Sequence, residues 1–454
     1  MDIKRLKKIY FLGIGGIGMS ALARYFNNEG IEIHGYDLTK TKLTKQLVKE
    51  GMCIHYKENT KKIPRDIDLV IMTPAIPADQ KELIWLQKKG YPILKRAEVL
   101  GMISNEMHSI AVAGTHGKTT TSALIAHILK SADKKVNAFL GGILSKEKTN
   151  FLYGKSKYVI LEADEYDRSF LHLYPDVLVI MSMDADHLDI YGTVAEMYKS
   201  YEQLTYQIKK GGLLILGPGI KSRISDEWRE RLEKRKIKIV AQLQDFDYKN
   251  TRVENAKYKF DAIIAGKEIK KLSSNLPGLH NMSNALAAIM VARELGVKKK
   301  KIRQALKKFR GIKRRFERVH EGKKQVLIDD YAHHPEEVRN TVKTVKTLYS
   351  GKEVLGIFQP HLYSRTQDFY KEFAKELSGL DKVILLPIYP ARELPIPGVD
   401  SAMIYNLISM DDKYLTTEAD LISTIKGIKS FDVVITLGAA DLDKHHKKII
   451  KLLK

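Results

Sequence analysis

The residues best suited to chemistry stand in one short run: Gly114, Thr115, His116, Gly117, Lys118, Thr119 and Thr120. Two glycines permit a tight turn, the lysine supplies a mobile positive charge, and the hydroxyl beside it can ligate Mg²⁺. Ile110–Ala113 ahead of the run are small or branched and apolar, which reads as a buried strand, and Ser122–Lys130 behind it reads as a helix. A strand turning through glycines into a helix N-terminus collects backbone N–H groups and the positive end of the helix dipole around phosphate oxygens. A nucleoside triphosphate would use all of these groups together. The match to the general phosphate-loop spacing is incomplete, because Val112 stands six places before Lys118 where that pattern has glycine. An ordinary strand–helix turn is the alternative.

A second glycine cluster opens the chain. The apolar residues 9–12 lead into Gly13, Gly15, Gly16 and Gly18, a helix follows from about Met19 to Asn28, and a strand from Ile31 ends at Asp37. This βαβ opening has the G-x-G-x-x-G spacing with an acid about 20 residues on, a pattern that lets backbone approach a diphosphate. NAD is one candidate, and any nucleoside diphosphate conjugate fits equally. Thr73, at the end of the next strand, faces the same crevice in such a sheet. Two phosphate-type openings about a hundred residues apart imply two phosphate-bearing ligands, whereas a simple dehydrogenase needs one.

Around the Gly114–Thr120 run, the strand Tyr158–Glu162 ends in the acids Glu162, Asp164, Glu165 and Asp167. Parallel sheets present ligand-facing groups at strand C-termini, so Glu162 is placed to hold Mg²⁺ between phosphates; a solvated acidic loop is the bland reading of the others. The strand Val177–Met181 leads to Asp184, Asp186, His187 and Asp189. Mg²⁺ prefers oxygen, so a ligand role for His187 stays open. Residues from about Lys209 to Lys271 carry a strand near Leu213 but no chemical signal. His280, Asn281 and Asn284 cluster at the start of a helix reaching about Leu295, where amides can meet a base edge or where Asn281 or Ser283 can cap the helix.

A domain boundary is expected near residues 102–107, and residues 309–316 read as a hinge into a third α/β segment. Three of that segment's strand ends are chemically loaded: Asp329–Pro335 with Tyr331, His333 and His334; Gln359–Arg365 with His361; and Gly438–Asp441. Adjacent histidines before a proline cannot share a helix face and no cysteine is near, which argues against zinc.

The 454 residues allow two or three domains, and 44% hydrophobic with 29% charged residues is a globular composition. The formal charge of +23 is dispersed, and no basic run is interleaved with aromatics, so a lysine-rich solvated surface is expected rather than a nucleic-acid interface. No apolar run approaches the roughly 18 residues of a membrane span, and the first residues lack a secretory apolar core. The single cysteine, Cys53, excludes an intramolecular disulfide and fits a reducing cytoplasm.

Taken together, Gly13-Ile-Gly-Gly-Ile-Gly-Met-Ser, Gly114-Thr-His-Gly-Lys-Thr-Thr, Glu162-Ala-Asp-Glu, Asp186-His-Leu-Asp, His280-Asn, Asp330-Tyr-Ala-His-His-Pro and Phe358-Gln-Pro-His resemble the Mur ligase family from end to end. The resemblance implies an α/β protein of three domains: a Rossmann-like UDP-sugar domain at 1–104, a central P-loop ATPase-like domain with a mostly parallel sheet at 105–311, and a Rossmann-like amino-acid domain at 312–454. It implies an ATP- and Mg²⁺-dependent ligase of cytoplasmic peptidoglycan synthesis that joins L-alanine to UDP-N-acetylmuramate through an acyl phosphate. Carried over by position, Lys118 would neutralise the transferring phosphate, and Thr119, Glu162 and His187 would hold magnesium. His116 would reach the sugar nucleotide, Asn281 and Asn284 would meet adenine, and Arg315 would approach the phosphates. Gly15, Gly16, Gly18, Asp37 and Thr73 would hold the UDP-sugar, while Tyr331, His334, His361 and Arg365 would line the alanine pocket. A monomer or weak homodimer with small-molecule substrates, no nucleic acid and no membrane insertion is expected.

Two departures stand out. The family's Pro-His-Arg-Tyr stretch has Leu362 in place of arginine, leaving Arg365, with Arg392 in support, to meet the amino-acid carboxylate. The vicinity where other branches carry a carbamylated lysine offers Glu202, with Lys199 nearby, so no carbamylation is expected. A ligase for a recycled tripeptide shares the phosphate loop and is the nearest rival; an NAD-dependent oxidoreductase and a nucleic-acid-binding ATPase are remote ones.

Overall fold

A computed structural model describes residues 3–185, 188–254, 257–391 and 393–453. The apolar runs that end in glycine or acidic residues become the central strands of three mostly parallel sheets. The first sheet is all parallel, in the order Cys53–His55, Glu32–Tyr36, Lys8–Leu12, Leu69–Met72, Ile93–Lys95. Strand order reverses beside Lys8–Leu12, so its glycine loop opens at the switch point where a doubly wound sheet leaves a crevice.

The second sheet runs Lys238–Ala241, Leu213–Leu216, Val177–Ile180, His108–Ala113, Tyr158–Glu162, Asn137–Phe139, Phe151–Leu152, and only the last pair is antiparallel. The third runs Glu317–Glu321, Val326–Asp330, Val433–Leu437, Val354–Phe358, Lys382–Leu385, Lys413–Leu415, with only the first pair antiparallel. The α/β class and the mostly parallel central sheet read from the sequence are those of the structure.

The chain forms two compact units. One comprises Met1–Lys249, Asp261–Leu272 and Ser283–Phe309; the other comprises Asn250–Phe260, Ser273–Met282 and Arg310–Lys454. Within the first, one apolar core runs from Ile9, Phe11 and Leu22 to Ala111, Leu161, Ile180 and Tyr201, and a smaller one gathers Tyr10, Leu12, Val70 and Leu86. Tyr25 packs its ring against Phe139 and Phe151 at 5.5 and 6.1 Å between centroids. The stretch expected as a boundary, 102–107, is the last turn of the helix Arg96–Glu106, with Ile103 and Ser104 buried and only Met107 before the strand His108–Ala113.

The weakly patterned region after Lys209 is also more regular than expected. It holds a helix, Asp226–Lys234, and a separate three-stranded sheet of Phe246–Glu254, Lys257–Ile264 and Lys267–Ser274. No described helix is long and apolar enough to cross a membrane.

Candidate active site

The strand His108–Ala113 lies between Val177–Ile180 and Tyr158–Glu162, so its C-terminal end is flanked by the ends of both neighbours. The chain leaves it through Gly114, at φ 127°, and enters the helix Lys118–Ser131 through Gly117, at φ 83°. Both conformations favour glycine. A Cβ at Gly114 would lie 2.7 Å from the Ser182 backbone nitrogen, and one at Gly117 would lie 2.6 Å from Asn284 Oδ1. The helix starts at Lys118, four residues before the Ser122 start expected, so Thr119, Thr120 and Thr121 form its first turn with their N–H groups toward the loop.

Ser182, a residue the motifs did not single out, fastens this loop. Its Oγ accepts from the His116 N–H at 2.7 Å, shares 2.9 Å with Thr115 Oγ1, and donates to the His116 carbonyl at 3.3 Å. Thr115 Oγ1 also accepts from the Asp184 N–H at 3.1 Å. The ring of His116 is half-buried at the loop's bend.

The two groups expected to hold the triphosphate and its cation are engaged by acids. Thr119 Oγ1 donates to Glu162 Oε1 at 2.8 Å, and Glu162 Oε2 accepts from the Gly141 N–H at 2.9 Å. A hydroxyl and a carboxylate side by side are hard oxygen donors, and a site completed by phosphate and water oxygens suits Mg²⁺. Lys118 Nζ donates to the Gly114 carbonyl at 2.7 Å and to Glu165 at 2.8 Å. Burial opposes the lysine's charge, but Glu165, Asp164 and Glu162 outweigh it and hold the ammonium above its usual range. Burial pushes the Glu165 carboxyl up, with Lys118 pulling against it.

At the first sheet, the Gly15 N–H donates to Asp37 Oδ2 at 2.6 Å and the Thr39 N–H to Oδ1 at 3.0 Å. Asp37 is thus turned onto the loop's own backbone, a contact the glycine pattern did not foresee. A Cβ at Gly15 would meet Thr44 at 2.6 Å and Asp37 at 2.7 Å, and the methyl of Thr73 would stand 2.5 Å from one at Gly13. Gly16 precedes the helix Ile17–Asn28, which begins two residues before the expected Met19. Arg96 lies over Gly18, 3.0 Å from the position of a Cβ there, and its Nη2 stands 3.4 Å from Asp164 Oδ2. The structure therefore brings a second cation, unforeseen, between the first glycine loop and the acids after Glu162.

Asn281 and Asn284 sit inside the helix Leu279–Glu294, so neither Asn281 nor Ser283 is its N-cap. Asn281 Nδ2 donates back to the Pro277 carbonyl at 2.7 Å, and Ser283 Oγ accepts from Gln242 Nε2 at 3.0 Å. Asn284 is buried against the phosphate loop, where Thr121 Oγ1 donates to its Oδ1 at 3.2 Å.

In the C-terminal unit a chain of rings gathers at strand ends. Tyr331 meets His333 at 5.3 Å, His333 meets His361 at 5.9 Å, and His361 stacks on Tyr389 at 5.7 Å. Arg315 lies 5.1 Å from the Tyr331 ring centre and 3.7 Å from a Glu337 oxygen. Burial, then the neighbours His333 and Arg365, lower the His361 pKa to about 4, so the ring is neutral near pH 7. Burial likewise lowers His333, against the pull of Glu337.

His334 also has a place in the backbone's hydrogen bonding. It caps the helix Pro335–Leu348, accepting from the Glu336 N–H at 3.4 Å, with its ring 5.1 Å from Phe369. The signal was present in the sequence, since a residue before a helix-starting proline is an N-cap. Leu362, the departure from Pro-His-Arg-Tyr, adopts φ 71° immediately before the helix Tyr363–Leu377, which carries Arg365. His187 and Arg392 lie outside the described residues.

The model of the Mur ligase family, catalytic domain, matches residues 8–108; that of the Mur ligase middle domain matches 112–292; and that of the Mur ligase, glutamate ligase domain, matches 314–440. The UDP-N-acetylmuramate–L-alanine ligase of Porphyromonas gingivalis is 44% identical over 447 residues, 97% of either chain. Among solved structures, the UDP-N-acetylmuramate-alanine ligase of Thermotoga maritima aligns with a TM-score of 0.81 at 29% identity, covering 98% of both chains. A murein peptide ligase of Psychrobacter arcticus aligns over 98% of both chains with a TM-score of 0.69 at 21% identity, a likeness of fold alone. With all three models matched in order along its length, the chain belongs to the Mur ligase family.

Proposed function

We propose that this chain uses ATP to join L-alanine to UDP-N-acetylmuramate in peptidoglycan precursor synthesis. The observation that carries the reading is the loop Gly114–Thr120, with Lys118 and the Thr119–Glu162 pair at the end of a central strand, in a chain 44% identical over 97% of its length to a ligase of that name. A carboxylate is a poor electrophile. Transfer of the γ-phosphoryl group from ATP to the lactyl carboxylate yields an acyl phosphate and ADP. The alanine amine then attacks the acyl carbon, phosphate leaves, and an amide remains.

The residues divide this work. Backbone N–H groups of the loop and the first turn of Lys118–Ser131 hold the phosphates, and the Lys118 ammonium offsets charge on the transferring group. Thr119 and Glu162, with His187, would hold Mg²⁺, which when bound neutralises phosphate charge. His116 would reach the sugar nucleotide, and Asn281 and Asn284 would contact adenine. Gly15, Gly16, Gly18, Asp37 and Thr73 would bind the UDP-sugar at the first sheet. Tyr331, His334, His361 and Arg365 are assigned to alanine, with the Arg365 guanidinium on its carboxylate and Arg315 on the phosphates. Substrate roles follow the three segments 1–104, 105–311 and 312–454, in a cytoplasmic monomer or weak homodimer that binds no nucleic acid.

The test is phosphate release with ATP, Mg²⁺ and UDP-N-acetylmuramate, offering L-alanine or the recycled tripeptide. Turnover that depends on alanine is expected. Turnover with the tripeptide alone would assign the chain to the rival activity. Lys118→Ala is expected to abolish acyl-phosphate formation while UDP-sugar binding persists; loss of both would show that the two sites were wrongly separated.

A further inference from the structure

The acids after Glu162 do more than decorate a loop. Glu165 is 2% exposed, and its carboxylate lies 2.7–2.8 Å from Lys118 Nζ, the group whose task is to meet phosphate. It is aimed inward by its surroundings. The Glu165 carbonyl accepts from the Tyr191 hydroxyl at 2.6 Å, and the chain beyond it winds through left-handed Asp167 and Arg168, at φ 54° and 53°. Arg168 stacks on the same tyrosine at 5.6 Å. The turn that places Glu165 is therefore tied down at its carbonyl and again three residues on. A buried carboxylate in a salt bridge with the loop lysine occupies the role of an anionic phosphate oxygen.

We propose that Glu165 is a positioning residue that stands in for phosphate at Lys118: it parks the ammonium at the loop while no nucleotide is bound and competes with nucleotide phosphate for it. This rests on the reading that ATP binds at Gly114–Thr120. The consequences have an unusual sign. A residue that merely supports the fold weakens ligand binding when removed, whereas a competing anion strengthens it. Glu165 also keeps Lys118 from wandering, so its loss relieves competition in the ground state while slackening the aim of the lysine in phosphoryl transfer, the pattern in which KM and kcat fall together.

The experiment is calorimetric titration of the full chain with a non-hydrolysable ATP analogue and Mg²⁺, together with kcat and KM for ATP. If the unaltered protein binds no analogue, the reading of the loop as an ATP site fails. If it binds, Glu165→Gln is expected to tighten the Kd about tenfold, the equivalent of ~1.4 kcal/mol, and to lower both kcat and KM for ATP. Unchanged or weaker binding by a folded Glu165→Gln would overturn the proposal. Should that variant not fold, Glu165→Asp keeps the charge but withdraws it by one methylene. It is expected to bind the analogue a few-fold tighter, and unchanged or weaker binding would refute the competition equally.

Discussion

Ser182→Ala removes the side chain that fastens the Gly114–Thr120 loop while leaving Lys118, Thr119 and Glu162 unaltered. The serine makes three contacts, at 2.7 Å with the His116 N–H, 2.9 Å with Thr115 Oγ1 and 3.3 Å with the His116 carbonyl. A typical hydrogen bond contributes about 0.5–1.5 kcal/mol net, and the long one belongs at the low end. Their loss therefore removes about 2 kcal/mol from the loop's set conformation. Felt entirely in nucleotide binding, that would be about thirtyfold. Water can replace part of it at this half-buried site, and Thr115 retains its bond from the Asp184 N–H at 3.1 Å. The expected outcome is a rise of about tenfold in both the KM for ATP and the Kd of an analogue, with the KM for alanine unchanged. Thermal unfolding measured alongside separates loop disorder from loss of fold. A variant with ATP parameters within about twofold of the parent would refute the reasoning, because the backbone alone would then hold the loop.

Two further outcomes concern the C-terminal unit. Arg365→Ala is expected to raise the KM for alanine at least about tenfold, the scale of a charge-assisted hydrogen bond, with the KM for ATP unmoved; an unchanged alanine KM would relocate the carboxylate contact. His361 has its pKa lowered to about 4 in the folded protein, against about 6.5 when unfolded, so the unfolded chain takes up the proton first. The stability this contributes is present above about pH 6.5 and is lost as pH falls toward about 4. His361→Asn should flatten the decline in melting temperature between pH 7 and pH 5, and an equal slope in parent and variant would dismiss the effect.

Which features were readable depends on how local their causes are. The strand, turn and helix around Gly114–Lys118 were legible because glycines at positive φ and an apolar run ahead of them are signals within a dozen residues. Ser182 was not, since its contact with His116 exists only because Val177–Ile180 pairs beside His108–Ala113, a choice of strand order that no local pattern encodes. The acids after Glu162 were visible as a group. Which of them turns inward depends on the left-handed pair Asp167 and Arg168, non-glycine residues that carry no clear signature of that conformation. His333 and His334 were noticed together, and the proline after His334 already marked it as a helix cap. Lys257–Ile264 alternates half-buried and buried residues along its length, a period of two that lysines and a tyrosine disguise.

The helix Arg96–Glu106 runs from the edge of the first sheet into the phosphate-loop strand with only Met107 between them, and one apolar core passes beneath both. A core shared in this way predicts one unfolding transition for the two glycine loops. A ligand that binds at either loop draws its stabilising effect from the whole core, and raises the melting point of the sheet it never touches. Cutting the chain at 104 would leave two fragments, each with a raw apolar face where its neighbour had been. In heat, the first sheet and the Gly114–Thr120 loop are expected to be lost together.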